Sequence, residues 1–229
     1  MNKEQLHVFF DFDSTVVTKE SLDMTIELAL DGREDREELV NKVEEITNEG
    51  MEGVLKFTDS LQKRFVVVPL NKKHFLEVGQ ILLNQITPGM EELFAELKEN
   101  NIPTFIISGG FRDSILPVAD KLEVSSENVF ANSIICNEDG EVVGVDESNI
   151  CYTDNGKAPV IKAIKEKFNL EGKFLMVGDG ANDFKAYELG IADYFCGFTA
   201  NVEREVIKKN APVVCRSASE VKEFIFSLV

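Results

Sequence analysis

The stretch Leu6-His7-Val8-Phe9-Phe10-Asp11-Phe12-Asp13-Ser14-Thr15 constrains the fold more than any other part of the chain. A run rich in Val and Phe reads as a strand covered on both faces, the situation of a parallel sheet between helices. At its carboxyl end the chain must turn, and open α/β sheets bind ligands at that edge. Asp11 and Asp13 are two apart, so on an extended backbone both carboxylates point the same way. Two like charges so close repel and are costly to desolvate unless a cation or a shared proton answers them. The plainer alternative makes both of them caps of the turn.

After Thr15 the pattern becomes helical. Leu22, Ile26, Ala29 and Leu30 form one apolar stripe, and Leu39, Val43 and Ile46 a second. Val54, Phe57, Leu61 and Phe65 form a third, broken at Val68-Pro69, and a weaker fourth segment covers 72–83. The acidic run from Glu34 to Glu49 reads as their solvated face. From Thr87 strands and helices alternate again. Thr87-Pro88 reads as a helix start. A strand at 102–107 is expected to stop at Ser108-Gly109-Gly110, and Asp139-Gly140 marks a hairpin. A third buried strand, 173–177, ends in Gly178-Asp179-Gly180-Ala181-Asn182-Asp183, and short strands near 192–196 and 212–215 complete the series. The alternation predicts an α/β fold with a doubly wound parallel sheet. Residues 1–17 and 85–229 form its core, and 18–84 form a small helical cap domain inserted after the first strand.

Parallel strands bring their carboxyl ends to one edge, where Asp-x-Asp, Ser-Gly-Gly and Gly-Asp-Gly-x-x-Asp can converge. Four carboxylates, Asp11, Asp13, Asp179 and Asp183, without a His or Cys partner suit a hard cation, Mg²⁺ being the natural candidate. Ser108, followed by glycines that let backbone N–H groups approach closely, suits a phosphate oxygen. Lys157 stands at a helix start, a place the helix dipole disfavours for lysine unless an anion is near.

Composition narrows the partners. The formal charge of −17 argues against nucleic acid and anionic membranes. It also means that an anionic substrate needs local positive charge at the site. The four cysteines, Cys136, Cys151, Cys196 and Cys215, have no metal-ligand spacing and are expected as free thiols of a reducing compartment. The opening Met1-Asn2-Lys3-Glu4-Gln5 lacks the apolar segment of a leader, and no run is long enough to span a bilayer. A soluble cytoplasmic protein with a small-molecule substrate, monomeric or homodimeric, is the expectation. His7 and His74 match no motif and are read as structural.

The order of these motifs resembles the four-motif pattern of the haloacid dehalogenase-like (HAD) hydrolases, and within them the phosphoserine phosphatase family over nearly the whole chain. Carrying the resemblance are Asp11–Val16, Gly50-Met51-Glu52-Gly53, Ile86-Thr87-Pro88-Gly89, Ile107–Arg112, Asn128–Asn132 and Gly178–Asp183. It implies hydrolysis of L-phosphoserine to L-serine and phosphate, a step of serine biosynthesis, through an aspartyl-phosphate. It makes Asp11 the nucleophile and Asp13 the acid–base group. Mg²⁺ is then held by Asp11, the backbone carbonyl of Asp13 and Asp179, with Asp183 supporting. Ser108, the Gly109 N–H and Lys157 hold the phosphoryl oxygens, with Asn182 assisting nearby. The loop Asp154-Asn155-Gly156-Lys157-Ala158-Pro159 departs from the family, which has a glycine-richer approach there.

Two cap residues bear on the substrate. Arg64 lies on the apolar stripe of its helix, where a guanidinium needs an anion; by resemblance that anion is the substrate carboxylate, while a structural ion pair with a cap glutamate is the alternative. Glu20 either complements a helix dipole or, by resemblance, faces the substrate ammonium. Met51 and Phe57 read as apolar wall or as core packing. Alternatives keeping the chemistry are a phosphotransferase from phosphoserine to homoserine and a phosphatase for another small phosphomonoester. A receiver-like phospho-aspartate signalling module also uses Asp, Mg²⁺ and Lys, but it lacks an inserted cap and an acid–base Asp two residues on. A dinucleotide-binding module fails for want of a Gly-rich turn after the first strand.

Overall fold

The computed structural model describes residues 4–229; Met1–Lys3, where the expectation of no leader begins, lie outside the described residues. Six parallel strands form the central sheet: β1 (Leu6–Phe10), β2 (Thr104–Phe111), β3 (Val129–Asn132), β6 (Lys173–Gly178), β7 (Tyr194–Phe198) and β8 (Val213–Cys215). Their spatial order is β3-β2-β1-β6-β7-β8. The chain winds outward from β1 through β2 to β3, then returns to β6 on the other side. The switch point of the winding therefore lies between β1 and β6, the crevice where such sheets bind ligands. The hairpin β4 (Ile134–Cys136) and β5 (Val142–Val145) forms a separate two-stranded sheet.

Every residue of β1 is buried, as a strand covered on both faces requires. On one face, Val8, Phe10, Ile106, Leu175 and Val177 pack against α5 (Met90–Glu99), α6 (Arg112–Lys121) and α10 (Ala218–Leu228) through Leu93, Leu97, Ile115, Val118 and Ile225. On the other face, Phe9, Phe105, Ile107, Phe174 and Met176 meet Val160, Ile161 and Ile164 of α7 (Ala158–Phe168), with Ala186 of α8 (Ala181–Glu188) and Ile207 of α9 (Glu205–Asn210). The alternation of side chains along each strand thus fills two cores, one above and one below the sheet.

Between β1 and β2 run α1 (Ser21–Ala29), α2 (Arg36–Met51), α3 (Phe57–Phe65) and α4 (Lys72–Leu82). Leu22, Ile26, Leu30, Val43, Leu61 and Phe75 make a third apolar cluster with Phe111, against which the β4–β5 hairpin lays Ile134, Val142 and Val145. The fourth helix divides its packing: Phe75 joins that cluster, while Val78 and Leu82 belong to the main core beside α6. The segment leaves and re-enters through one point. Val17 and Ile86 form an antiparallel bridge, Thr18 N donates to Gln85 O at 2.8 Å, and Thr87 N donates to Val16 O at 2.9 Å.

Two local expectations change. The strand expected to stop at Ser108 continues to Phe111, with a shift of register between Ile107 and Phe111. The two glycines permit close approach rather than a turn: a Cβ on Gly110 would stand 2.9 Å from Asp13 Oδ2. The helix expected at Thr87-Pro88 begins at Met90 after Gly89, whose φ is +85°. The Thr87 hydroxyl donates instead to Thr15 O at 2.8 Å. Both histidines are structural, His7 Nε2 bonding Glu171 O and His74 capping α4 through Asn71. The four cysteines are free. Among the described residues no helix is long and apolar enough to cross a membrane.

Candidate active site

At the end of β1 the chain makes one wide helical turn, Phe12–Val16, broken at Asp13 and Ser14. Ser14 is left-handed, with φ +55°, a conformation disfavoured outside glycine. Three bonds hold it: its Oγ donates to Glu20 Oε1 at 2.7 Å, its N–H donates to Lys19 O at 3.2 Å, and Asn201 Nδ2 donates to its carbonyl at 3.1 Å. This tight turn aims Asp11 and Asp13 over the sheet edge, both buried.

Asp11, Asp179 and Asp183 each place one carboxylate oxygen within 4.8 Å of the others. Asp179 follows β6 directly, so it and Asp11 flank the switch point of the sheet. Asp183, in the first turn of α8, accepts from Gly180 N–H at 2.9 Å. Asp179 Oδ1 is buried without a hydrogen-bond partner. An orphaned carboxylate oxygen in an all-oxygen cluster is what a hard cation satisfies, so these residues fit a divalent metal ion. The Asp13 carboxylate stands outside this cluster. Its Oδ1 accepts from Ser21 N–H at 2.8 Å, and Ser108 Oγ lies 3.4 Å from its Oδ2.

Lys157, the residue just before α7, has its ammonium buried against Asp11 and is 2.6 Å from Asp183 Oδ1. Its N–H donates to Asn182 O at 3.0 Å, which ties the lysine loop to the start of α8. The divergent loop before it is anchored to α3: Thr58 N–H and Oγ1 donate to Asp154 Oδ1 at 2.9 and 2.8 Å. Ser108 Oγ accepts from Gly110 N–H at 2.9 Å, curling the end of β2 around the site.

One cavity joins these groups. It is lined by Asp11, Asp13, Lys157, Asn182 and Gly109 from the sheet edge and by Glu20, Met51, Phe57 and Arg64 from α1–α3 and their connections. Met51 and Phe57, expected as wall or core, both face it, while Ser108 lies in an adjoining niche with Phe57 and Cys151. Arg64 meets carboxylate chemistry as its burial demands, though the partner within the chain is Asp23 at 3.0 Å and not a glutamate.

Burial governs the charges. Desolvation raises Asp11 to about 6 against the pull of Lys157, and raises Asp183 to about 6 with repulsion from Asp11 adding to it. Desolvation and the neighbouring Asp11 lift Asp13 to about 7. Asp179 also rises to about 7 by desolvation, opposed by Arg204. Desolvation lifts Glu20 to about 8, with Asp13 and Asp23 adding to it. Burial opposes the charge on Lys157, but Asp11 and Asp183 outweigh it and hold the ammonium well above its ordinary value.

Arg204 was not among the residues expected here. It is almost wholly buried, donates from Nε to Asp179 Oδ2 at 2.8 Å, and lies 3.3 Å from both Glu20 Oε1 and Asn48 Oδ1. Its one sequence signal is position: it follows β7, whose carboxyl end lies on the same edge as Asp179.

Residues 6–189 match the haloacid dehalogenase-like hydrolase family. A phosphoserine phosphatase from Homo sapiens is 38% identical over 207 residues, which cover 89% of this chain and 86% of the human protein. The crystal structure of a phosphoserine phosphohydrolase-like protein from Francisella tularensis superposes with a TM-score of 0.88 at 34% identity, covering 96% of this chain and 100% of that one. A structure described as a phospho-aspartyl intermediate analogue of phosphoserine phosphatase gives a TM-score of 0.78 at 26% identity, covering 97% and 99%. With paired aspartates after β1, a serine after β2, a buried lysine and an aspartate cluster after β6 on one sheet edge, the chain belongs to the haloacid dehalogenase-like hydrolases.

Proposed function

We propose that the chain is a Mg²⁺-dependent phosphomonoesterase that hydrolyses L-phosphoserine to L-serine and phosphate through an aspartyl-phosphate on Asp11. The observation that carries this reading is Asp13: a buried carboxyl beside Asp11, raised to about 7, poised to hold a proton at neutral pH and outside the metal-holding cluster.

In the first step an Asp11 carboxylate oxygen forms a bond to phosphorus while the phosphorus–oxygen bond to serine breaks, and Asp13 gives its proton to the departing oxygen. In the second step Asp13, now a carboxylate, takes a proton from water as that water attacks phosphorus. Phosphate leaves, and Asp11 returns as a carboxylate. Mg²⁺, held by Asp11, the Asp13 carbonyl and Asp179 with Asp183 beside them, would supply charge neutralisation at the transferring group. Lys157 adds a fixed positive charge, and Ser108 with the Gly109 N–H donates to the phosphoryl oxygens. Asn182 orders the Lys157 loop through its carbonyl.

Arg64 and Glu20, facing the same cavity, would take the carboxylate and ammonium of the amino acid. Residues 18–84 act as the cap over residues 1–17 and 85–229, with α1–α3 facing the substrate and α4 docked on the core. The human relative and the Francisella structure, whose names concern phosphoserine, support the substrate.

The test is phosphate release with Mg²⁺ from L-phosphoserine beside phosphothreonine, phosphoethanolamine and p-nitrophenyl phosphate, with Asp11→Asn and Arg64→Ala in parallel. The reading predicts strong preference for phosphoserine. Asp11→Asn should lose at least about 10³-fold in rate, and Arg64→Ala should be impaired chiefly on esters that carry a carboxylate. Turnover of p-nitrophenyl phosphate alone would overturn the substrate and leave the chemistry standing.

A further inference from the structure

The proposed carboxylate contact of Arg64 raises a question that the cavity itself answers: what aims the guanidinium. Arginine carries many rotamers, and an unanchored one gives up much of its binding energy on ordering. The side chain is buried between α1, α2 and α3. Its Nη1 donates to Asp23 Oδ1 at 3.0 Å and to Thr47 Oγ1 at 3.1 Å, and its Nε lies 3.4 Å from Ser60 O on its own helix. The Thr47 hydroxyl, accepting from Arg64, donates to Asp23 Oδ1 at 2.8 Å and closes a three-membered ring of bonds. Nη2 has no hydrogen-bond partner among the described residues, and Arg64 lines the cavity that holds Asp11, Asp13 and Lys157. Nε and Nη1 are thus engaged, and Nη2, common to both edges of the fork, is left for an anion.

We infer that Asp23 and Thr47 are specificity-determining positioning residues, which fix the free Nη2 of Arg64 toward the carboxylate of the substrate. The inference rests on the proposed phosphoserine reading. Neither residue touches the reacting atoms. Asp23 is 19% exposed at its side chain and borders a second hollow behind α1, with Glu27 and Glu44 close by. Without the anchors, those carboxylates offer Arg64 another direction to turn.

The experiment compares kcat and KM on L-phosphoserine and phosphoethanolamine, which differ by the carboxylate alone, for the wild type, Asp23→Asn, Thr47→Val and Thr47→Ser. Thr47→Val keeps shape and charge and removes only the hydroxyl, so it separates anchoring from electrostatics if Asp23→Asn folds poorly. The expected result is a rise of about tenfold in KM for phosphoserine in Asp23→Asn and Thr47→Val. The effect on phosphoethanolamine should be at least about fivefold smaller, kcat should be little altered on either ester, and Thr47→Ser should behave as the wild type. In an Arg64→Ala background Asp23→Asn should add nothing on phosphoserine. Equal losses on both esters would reduce the pair to a structural role and overturn the inference. A lower KM for phosphoserine in Asp23→Asn would also overturn it, by making Asp23 a competitor for Arg64. A wild type that cleaves phosphoethanolamine as well as phosphoserine would remove the underlying reading. A selective wild type with unaltered Thr47→Val and Asp23→Asn would remove this inference alone.

Discussion

Gly178, the last residue of β6, shows how narrowly single atoms set this site. A Cβ there would lie 2.3 Å from Asp183 Cγ, and nothing flexible stands between them. Asp183 would have to leave its bond with Gly180 N–H and its contact with Lys157, which together bind the strand end to the lysine. Gly178→Ala should therefore cost about 10²-fold in kcat/KM with the fold intact, measurable by steady-state phosphate release beside circular dichroism. Activity within about twofold of wild type would show that Asp183 can move without consequence. Arg204 illustrates the opposite limit of legibility. Its neighbours Asn201-Val202-Glu203 carry no periodicity and no motif, and its importance comes from the crossover that returns β7 beside β6.

At the scale of elements, β1, β2 and β6 were legible because double-sided burial writes an unbroken apolar run. The four helices after β1 were legible from their stripes, although Val54, read into the third, lies exposed in the turn before α3. Less so was the continuation of β2: Ser-Gly-Gly looks the same in a turn and in a strand that runs beneath Asp13, and only the partner distinguishes them. The Thr87 hydroxyl was misplaced for a similar reason, since a local cap and a distant carbonyl compete for it and Thr15 O wins. Phe111, carried into the third cluster by that extension, packs against Phe65 and Phe75 at ring-centroid distances of 5.2 Å. It ties the sheet to the inserted helices. Phe75→Ala, at a fully buried position in the same trio, should destabilise the chain by about 3–5 kcal/mol, read by urea unfolding. A loss below about 1 kcal/mol would mean that the cluster closes over the gap.

For the whole molecule, the buried carboxyls set a dependence on pH. The folded chain raises Asp11 and Asp183 to about 6, Asp13 and Asp179 to about 7, and Glu20 to about 8. A carboxyl raised on folding binds its proton more tightly in the folded state. Its stabilisation is full below the unfolded value near 4 and is lost as pH climbs through the folded value. Without divalent metal, Tm should fall between about pH 5 and pH 8, and the overall charge of −17 acts in the same direction. Mg²⁺ should raise Tm more at pH 8 than at pH 5, since binding requires the deprotonated carboxylates. Thermal scans with a chelator or with Mg²⁺ decide this. A Tm that rises with pH in the chelated protein would contradict it.

The bridge between Val17 and Ile86 has a consequence for how such a chain diversifies. Because the outgoing and returning backbones run side by side, the chain joins the inserted helices to the sheet through a single stem. A different insert on the same stem would have to replace the holds of Ser21 N–H on Asp13, of Glu20 on Ser14 and Arg204, and of Thr58 on Asp154. The stem makes the insert simple to exchange along the chain, while those contacts bind it to the reacting groups, so insert and sheet edge are expected to change together.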